Sequence, residues 1–484
     1  MKKTVFALLC TMLILWASVS SACTSIIVGK EASDDGSLLV GRNEDISRAY
    51  NKNFFVNPAT QGEGTVTLTD PINGFTIELP ATAQQWTMIS DAPEHGDGLY
   101  PEVCINEYEV TIISSLAQGM SKAAKEFDPL IENGLRQAYL PCVVIPYVTT
   151  AREAVQKLGD VVMNYGAGEA QAVLIADHDE AWFFEIVSGH QWAAVKVPDD
   201  CYVVTANQMS IGYIDLEDTE NVMASPDIYA LPEKAGALQE YNGKPHIALT
   251  YSRMDPGSQI RVWGGQSMFS PSQNISDTDE IHELFMKPDE KISLTDAMAM
   301  LAYRYEGTVH DANLDPSVRA IGGESTCESA ILQFKPSGSL VQWTAMANPE
   351  HSVFLPVFGA ISETPEIYHV TGAEYNEASA YWVFRGLCTL SEIDRANCGE
   401  GVKAVWKQYQ QKLIEKVNAL DEEYMSLDKA GKAAMANQLY ADTTEEAVAM
   451  ATLMKNELMY YLAANASLVK TPKAPYTPSL LAGE

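Results

Sequence analysis

The sequence is short of basic side chains. Its 484 residues include 32 Lys and Arg against 64 Asp and Glu, a formal charge of −32 at pH 7. A chain with this excess of acid repels nucleic acid and anionic membrane surfaces. We therefore expect no nucleic-acid partner.

The apolar fraction of 46% is that of a globular protein, and the length allows one large domain or two to three ordinary ones.

Long apolar runs are missing beyond the N-terminus. No segment after residue 22 approaches the length of about 20 apolar residues that a membrane-spanning helix needs. Residues 5–17 are apolar, follow Lys2 and Lys3, and lead to the small residues 18–22, which is the order of a secretory signal and its cleavage site. The sequence predicts a signal peptide over residues 1–22 and export to a periplasmic or extracellular compartment, without a membrane span.

Metal and phosphate motifs are also missing. The eight histidines show neither HExxH nor another paired metal spacing, and no Gly-rich phosphate loop precedes a helix. The pairs Gly264-Gly265 and Gly322-Gly323 are interpreted as turns. We predict no metal and no cofactor.

Cysteine is scarce, and its count is informative. Eight are present, and Cys10 leaves with the predicted signal peptide. The remaining seven are an odd number in an oxidising compartment, so one stays unpaired if the others form bridges. Cys23 is the expected free thiol. Among the other six only Cys388 and Cys398 are suggested as a pair, by their closeness in sequence.

Cleavage after Ala22 would make Cys23 the first residue. A terminal amine with a pKa of about 7.7 to 8 can then serve as general base for the thiol of its own residue. The thiol attacks a carbonyl, the amine carries the proton to the leaving group, and water hydrolyses the thioester. Neither a metal nor a catalytic histidine is required.

The residues after Cys23 predict a β-hairpin. Residues 24–28 are rich in β-branched side chains, residues 33–36 (SDDG) supply a turn, and residues 38–40 return as a strand. The return strand ends in Arg42 and Asp45, near the thiol if the register is simple. We expect Arg42 to favour the thiolate and Asp45 to hold the terminal amine.

Two other interpretations of Cys23 remain open. In the first, the cysteine is acylated as in lipoproteins and tethers a non-catalytic surface protein. Ser20 stands where such signals favour Leu, and a strand follows without a flexible tether, which argues against it. In the second, the cysteine only happens to follow the cleavage site, and the charged end of the hairpin is then a coincidence.

Segments spread over residues 23–400 resemble the dipeptidase family of N-terminal-nucleophile (Ntn) cysteine hydrolases, which is related to secernins, choloylglycine hydrolases and penicillin V acylases. The resemblance is carried by residues 23–25 (CTS), 41–45 (GRNED), 106–107 (NE) before Val110, 192–200 (WAAVKVPDD), 206–208 (ANQ), 261–263 (RVW), 303–308 (YRYEGT) and 342–344 (QWT) leading to Pro349 and Pro356. Glu109 departs from the pattern, because a glycine is expected there before a strand.

The resemblance implies an α+β fold, an αββα sandwich of two antiparallel sheets with outer helices, and hydrolysis of dipeptides with broad side-chain tolerance. It implies catalytic roles for Cys23, Arg42, Asp45, Asn207 and Arg261. In that family pattern Asn207 is an oxyanion-hole residue and Arg261 a later active-site arginine, with Arg253 as the nearby alternative. A backbone N–H near Ser115 or Leu116 would complete the oxyanion hole.

The rest of the chain supplies further elements. Residues 172–176, 182–187, 192–197 and 202–204 are predicted as consecutive antiparallel strands. Helices are predicted over residues 116–138 and 150–166, and over 402–464 with interruptions near residues 428–431 and Thr443. The predicted organisation is a signal peptide (1–22), a catalytic domain (23–400), a helical C-terminal appendage (401–465) and an exposed tail (466–484).

The sequence therefore predicts an exported cysteine dipeptidase acting on small peptides. One alternative keeps the mechanism but takes N-acyl amino acids or bile-salt conjugates as substrates, and another is the lipid-tethered, non-catalytic protein. A homo-oligomer is compatible with the sequence.

Overall fold

The computed structural model describes residues 23–96, 98–279, 281–465 and 476–481. The predicted signal peptide lies outside the described residues, as does most of the predicted tail.

Two antiparallel sheets form the centre of the molecule. The strands are β1 (Thr24–Val28), β2 (Leu38–Asp45), β3 (Lys52–Asn57), β4 (Thr65–Thr69), β5 (Thr76–Pro80), β6 (Trp86–Asp91), β7 (Val103–Asn106), β8 (Thr111–Ala117), β9 (Gln171–Ala176), β10 (Ala181–Ile186), β11 (Trp192–Lys196), β12 (Tyr202–Thr205), β13 (Val222–Ala224), β14 (Glu240–Tyr241), β15 (Lys244–Pro245), β16 (Thr326–Phe334), β17 (Leu340–Met346) and β18 (Leu355–Phe358). One sheet has the order β12-β1-β2-β16-β17-β18 and the other β13-β11-β10-β9-β8-β7-β6-β3. The pairs β4-β5 and β14-β15 are separate hairpins.

Helices lie on the outer sides of both sheets. They are α1 (Lys122–Phe127), α2 (Leu140–Val144), α3 (Ala151–Tyr165), α4 (Ala230–Lys234), α5 (Ile247–Tyr251), α6 (Pro256–Phe269), α7 (Leu294–Leu301), α8 (Ala380–Ile393), α9 (Glu400–Ser426) and α10 (Lys429–Asn465). Helices α2 and α3 pack on the eight-stranded sheet, and α6 to α10 pack on the six-stranded sheet. Among the described helices, none combines the length and the apolar character needed to cross a membrane.

Side chains that alternate in direction along each strand produce the two apolar cores between the layers of the fold. In β10, Ala181 and Phe183 belong to the large core shared by the two sheets, whereas Trp182 and Phe184 belong to the core beneath α2 and α3. Successive strand side chains point to opposite faces, so a strand buried on both faces serves two cores. The predicted αββα sandwich of two antiparallel sheets with outer helices is confirmed.

Several element predictions are confirmed. Strands β1 and β2 form the predicted hairpin. Helix α3 covers the segment predicted at residues 150–166, with Thr150 as N-cap accepting a hydrogen bond from the backbone N–H of Glu153. Strands β9, β10 and β11 are consecutive antiparallel neighbours as predicted. Strand β12 forms but pairs with β1 in the other sheet, where it brings the chain beside Cys23.

Other element predictions are wrong. The helix expected over residues 116–138 is replaced by the end of β8 and the short α1, because β8 pairs with β9 inside the sheet. Gly264 and Gly265 are not a turn but lie within α6. A Cβ on Gly264 would stand 2.3 Å from the ring of Tyr305, and one on Gly265 would stand 2.7 Å from Val204. These glycines let the helix approach its neighbours.

The C-terminal helices form an outer layer on the six-stranded sheet. Helix α10 packs against α8 and β18, and buried side chains of α9 and α10 belong to the same core as β1 and β2. The helical break falls at Leu427, but the break expected at Thr443 is absent, since its hydroxyl donates to the carbonyl of Leu439 within the helix. In the predicted exposed tail, Tyr476 and Pro478 are buried against the body, with Tyr476 only 7% exposed, whereas Leu480 is exposed.

The backbone conformation at residue 109 explains why a glycine was expected there. Glu109 has φ +59°, the left-handed region in which glycine is unstrained. The turn is held by Asn106, whose side-chain oxygen accepts hydrogen bonds from the backbone N–H groups of Tyr108 and Val110. The turn therefore forms although residue 109 is a glutamate and not the expected glycine.

The suggested pairing of Cys388 with Cys398 is wrong. In the described part of the chain both residues are free thiols.

Candidate active site around Cys23

Cys23 immediately precedes β1 and is buried at 1% exposure in the large core. The hairpin register pairs Thr24 with Asn43 and Ser25 with Arg42, so the charged end of β2 lies beside the residue that opens β1. This is the proximity expected from the sequence, produced by simple antiparallel pairing.

Burial dominates the chemistry of the thiol. It raises the pKa of the Cys23 thiol to about 11, an effect that Arg42 opposes and that Asp45 and Glu44 reinforce. A thiol in this environment is protonated at neutral pH, because a thiolate without solvent is disfavoured. A base must therefore take its proton before it can act as a nucleophile.

Arg261, on α6, holds the backbone of Cys23. Its Nη1 donates to the carbonyl oxygen of Cys23 at 2.5 Å and to the hydroxyl of Thr24 at 3.1 Å. Its Nε donates to the carbonyl of Gly257 at 3.0 Å, and its Nη2 donates to the hydroxyl of Ser258 at 3.1 Å. The planar guanidinium thus ties the N-terminal turn of α6 to the start of β1.

Asn207 follows β12 and joins the same network. Its side-chain oxygen accepts a 3.0 Å hydrogen bond from Nη2 of Arg261. With Oδ1 directed at Arg261, the donor end of the amide is directed away from it, as an oxyanion donor requires. Arg253, the alternative arginine, has an exposed side chain that packs over Gly119. Arg261, and not Arg253, therefore binds Cys23 and Asn207.

Asp45 ends β2 and is buried. The hydroxyl of Thr326 donates to its Oδ1 at 2.5 Å. Burial raises the pKa of Asp45 to about 6, while the bond from Thr326 and the positive charges of Arg319, Arg261 and Arg42 oppose the rise. The carboxylate therefore titrates close to neutral pH and lies near enough to Cys23 to influence the thiol.

Arg42 belongs to a buried charge cluster that sequence reasoning missed. Its Nη1 donates to Glu102 Oε2 and to the carbonyl of Ser114, both at 2.6 Å, and its Nη2 lies 3.4 Å from Glu44 and 3.7 Å from Glu328. Glu44 and Glu328 lie on neighbouring strands of the six-stranded sheet, whereas Glu102 lies in the loop before β7, and no local sequence motif links the three. The cluster fixes the guanidinium between the sheets, beside the thiol.

Lys52 extends the cluster and contacts both Glu44 and Asp91. The cluster thus contains four carboxyl groups and two cations. In spite of burial, Lys52 holds the pKa of Glu44 below its usual value, whereas burial raises the pKa of Glu328 to about 7. Neither oxygen of Glu328 has a hydrogen-bond partner in the described residues, which fits a carboxyl that keeps its proton.

The expected backbone donor near Ser115 lies at an irregularity of the sheet. The pairing of β8 with β9 changes register between Ser114 and Leu116. Bulges of this kind interrupt the ladder and re-aim backbone groups, and they are frequent next to active sites. The donor itself stays a prediction.

A cavity of about 1070 Å³ lies next to the site, and its wall includes Asp45, Ser325 and Arg319. Within the described ranges, no three His, Cys, Asp or Glu side chains are arranged to hold a metal ion. The arrangement offers a thiol, a carboxylate, two arginines and an amide, which suits acyl transfer through a covalent intermediate.

Comparison with known proteins adds independent information. The family model described as Peptidase family C69 matches residues 22–408. A protein named "Probable dipeptidase B" from Streptococcus pyogenes is 33% identical over 431 residues, which cover 84% of this chain and 84% of that protein. A "Probable dipeptidase" from Latilactobacillus sakei is 32% identical over 386 residues, covering 77% of this chain and 81% of that protein. A "Probable dipeptidase" from Salmonella dublin is 33% identical over 355 residues, covering 70% and 81%.

Among solved structures, a mutant of a conjugated bile acid hydrolase from Clostridium perfringens aligns with 66% of this chain and 88% of that chain. The sequence identity is 11% and the TM-score 0.30.

Proposed function

The chain belongs to peptidase family C69, and we propose that it is an exported dipeptidase whose nucleophile is the thiol of Cys23. The observation that carries the proposal is the guanidinium of Arg261, which hydrogen-bonds to both the carbonyl oxygen of Cys23 and the side-chain oxygen of Asn207. One side chain thus connects the nucleophilic residue to an oxyanion donor. The named relatives, probable dipeptidases that each align over most of their length, support the substrate class.

Activation requires cleavage after Ala22. Before cleavage the nitrogen of Cys23 belongs to a peptide bond and cannot accept a proton. After cleavage it is a primary amine with a pKa of about 7.7 to 8, attached to the same residue as the thiol. The high pKa of the buried thiol makes this neighbouring base necessary. The uncleaved chain would be an inactive precursor.

Peptide hydrolysis then proceeds in two acyl transfers. The amine takes the thiol proton as sulfur attacks the peptide carbonyl, and the side-chain N–H of Asn207 stabilises the oxyanion. The ammonium returns the proton to the departing amino group, which leaves the acyl group on sulfur as a thioester. Water, deprotonated by the same amine, hydrolyses the thioester and restores the thiol.

Two charged side chains adjust these steps. Arg42 lowers the pKa of the thiol against the effect of burial and so favours the thiolate. Asp45, held by Thr326, accepts hydrogen bonds from the terminal amine and orients its lone pair toward the sulfur. Both roles depend on the hairpin that places the end of β2 beside Cys23.

The experiment is an assay of the exported enzyme and its Cys23→Ala and Cys201→Ala variants. The substrate panel contains dipeptides, N-acyl amino acids and bile-salt conjugates. We expect hydrolysis of dipeptides, its loss in Cys23→Ala, and its retention in Cys201→Ala, which alters another buried thiol. Turnover by folded Cys23→Ala would contradict the nucleophile, and exclusive hydrolysis of the acylated substrates would contradict the substrate class.

A further inference from the structure

Asn207 lies at the centre of a tight turn. It follows β12, and the backbone N–H of Gln208 donates to the carbonyl oxygen of Ala206 at 2.7 Å. A hydrogen bond between residues two positions apart closes a three-residue γ-turn, here with Asn207 as the central residue. A turn closed by one hydrogen bond is held weakly by itself. The direction of the Asn207 side chain therefore depends on what holds the chain after the turn.

Glu185, on β10 of the eight-stranded sheet, holds that chain. The backbone N–H of Ser210 donates to its Oε1 at 2.7 Å, and the backbone N–H of Ile211 donates to its Oε2 at 3.2 Å. Glu185 is 0% exposed, and Ile211 is buried as well. Since β12 belongs to the six-stranded sheet, Glu185 ties the chain that leaves one sheet to the other sheet.

Gln118 connects Glu185 to the turn. Its Nε2 donates to Glu185 Oε1 and to the carbonyl oxygen of Gln208, both at 3.0 Å. Gln118 directly follows β8, the strand whose register changes between Ser114 and Leu116, where the second oxyanion donor is predicted. One amide group thus joins the end of β8 to the residue after Asn207.

The carboxyl group of Glu185 is matched to the donors around it. Three N–H groups converge on its two oxygens, from Ser210, Ile211 and the side chain of Gln118. A carboxylate accepts at both oxygens and satisfies all three donors. An amide in the same place would present its own N–H groups to at least one of them, and a buried donor without an acceptor is costly. The hydrogen bonds therefore require an acid at this position.

We propose that Glu185 and Gln118 are positioning residues, which hold the chain after Asn207 and so aim its side-chain N–H at the oxyanion. The inference rests on the proposed function, in which Asn207 donates to the oxyanion. It assigns two residues that act on the reaction through Asn207. Such supports matter because a displacement of about 1 Å in the site can lower the rate about 100-fold.

The test is a double-mutant cycle on the mature enzyme. Steady-state kinetics on a dipeptide are measured for Glu185→Gln and Gln118→Ala, each with Asn207 present and in the Asn207→Ala background. The melting temperature is measured for every variant.

Asp177→Asn is the matched control. The carboxylate of Asp177 is also buried and also accepts three backbone N–H groups, from Ala151, Asp179 and Glu180. Asp177 follows the last residue of β9, whereas the first residue of β9 pairs with the residue before Gln118. The control thus removes an equivalent buried acid at the other end of the same strand.

We expect Glu185→Gln and Gln118→Ala to lower kcat about 10- to 100-fold and to change KM by less than about 2-fold, because the oxyanion forms only as the bond is attacked. In the Asn207→Ala background the same substitutions should lower kcat by less than about 2-fold, since the group that they position is already absent. Asp177→Asn should leave kcat and KM unchanged, whatever its melting temperature.

Three results would overturn the inference alone. They are an equal fall in kcat with and without the Asn207 side chain, an equal fall in Asp177→Asn, and an unchanged kcat, which removes the residue that was replaced. If Glu185→Gln does not fold, Gln118→Ala decides by the same comparison, because it leaves both backbone bonds to Glu185 in place. Absence of dipeptide hydrolysis by the unaltered enzyme would instead overturn the proposed function, and the inference with it.

Discussion

Nη1 of Arg261 lies 2.5 Å from the carbonyl oxygen of Cys23, although 238 positions separate the two residues in the chain. The bond is made to the backbone of the proposed nucleophilic residue and not to its side chain. It therefore fixes where β1 begins, and the positive charge of the same guanidinium also interacts with the Cys23 thiol. The same guanidinium donates to the side-chain oxygen of Asn207, so the positions of the proposed nucleophile and of the proposed oxyanion donor depend on one side chain.

Replacing Arg261 by Lys should lower kcat/KM by at least about 100-fold, because a single ammonium cannot make the divergent bonds of a planar guanidinium. Steady-state kinetics on a dipeptide measure the loss, and circular dichroism monitors folding. Arg253→Ala is the control, since this exposed arginine lies outside the network. Equal losses in the two variants would refute the assignment.

Replacing Asn207 by Ala should lower kcat about 100- to 1,000-fold with little change in KM, as expected when a donor to the oxyanion is removed. Asn221→Ala, in an exposed loop, should leave both constants unchanged. If Asn207→Ala changed only KM, the oxyanion role would be contradicted, and Asn207 would instead contribute to binding of the substrate ground state.

Glu328 should make the protein less stable as the pH rises. Burial raises its pKa from 4.5 to about 7 in the folded state. Between these values the folded protein keeps a proton that the unfolded chain has released, so the free energy of unfolding decreases with increasing pH. Glu328→Gln should make this decrease shallower by up to about 1.4 kcal/mol per pH unit.

Urea denaturation at pH 5, 6, 7 and 8 measures this dependence. Glu366→Gln is the matched control, because the Glu366 side chain is 97% exposed. A pH dependence in Glu328→Gln identical to that of the unaltered protein would show that Glu328 is ionised throughout.

Gly264 should be intolerant of a side chain. A Cβ there would stand 2.3 Å from Tyr305, whereas one on Gly257 of the same helix would meet only ordinary contacts at 3.4 Å and beyond. We expect Gly264→Ala to lower both the melting temperature and kcat/KM, because α6 must shift and carries Arg261 with it. Gly257→Ala should change both far less. A melting temperature preserved in Gly264→Ala would contradict the close packing.

The local part of the site could be predicted from the sequence. Cys23, Arg42 and Asp45 lie on one hairpin, whose turn and β-branched strands are evident in residues 24–45. Asn207 and Arg261 were indicated only by resemblance to a family, because their proximity to Cys23 depends on β12 pairing with β1 and on α6 packing over β12.

The remaining features of the site and of the fold depend on contacts between residues that are distant in the sequence, which a local sequence pattern does not encode. Glu102 and Glu328 approach Arg42 from different elements, and each alone looks like an ordinary acidic residue. Residues 116–138 favour helix by composition, yet pairing with β9 makes the first of them a strand. Likewise, Gly264 and Gly265 resemble a turn, and only the neighbouring Tyr305 and Val204 explain them within a helix.

The central claim is that Cys23 carries both the thiol and the base. It is tested most directly by intact-mass measurement and N-terminal sequencing of the exported protein, before and after treatment with a thiol-alkylating reagent. The account predicts a chain that begins at Cys23 with a free amine and loses dipeptide hydrolysis when that residue is alkylated. A chain that begins elsewhere, or an added lipid mass with a blocked amine at Cys23, would contradict it.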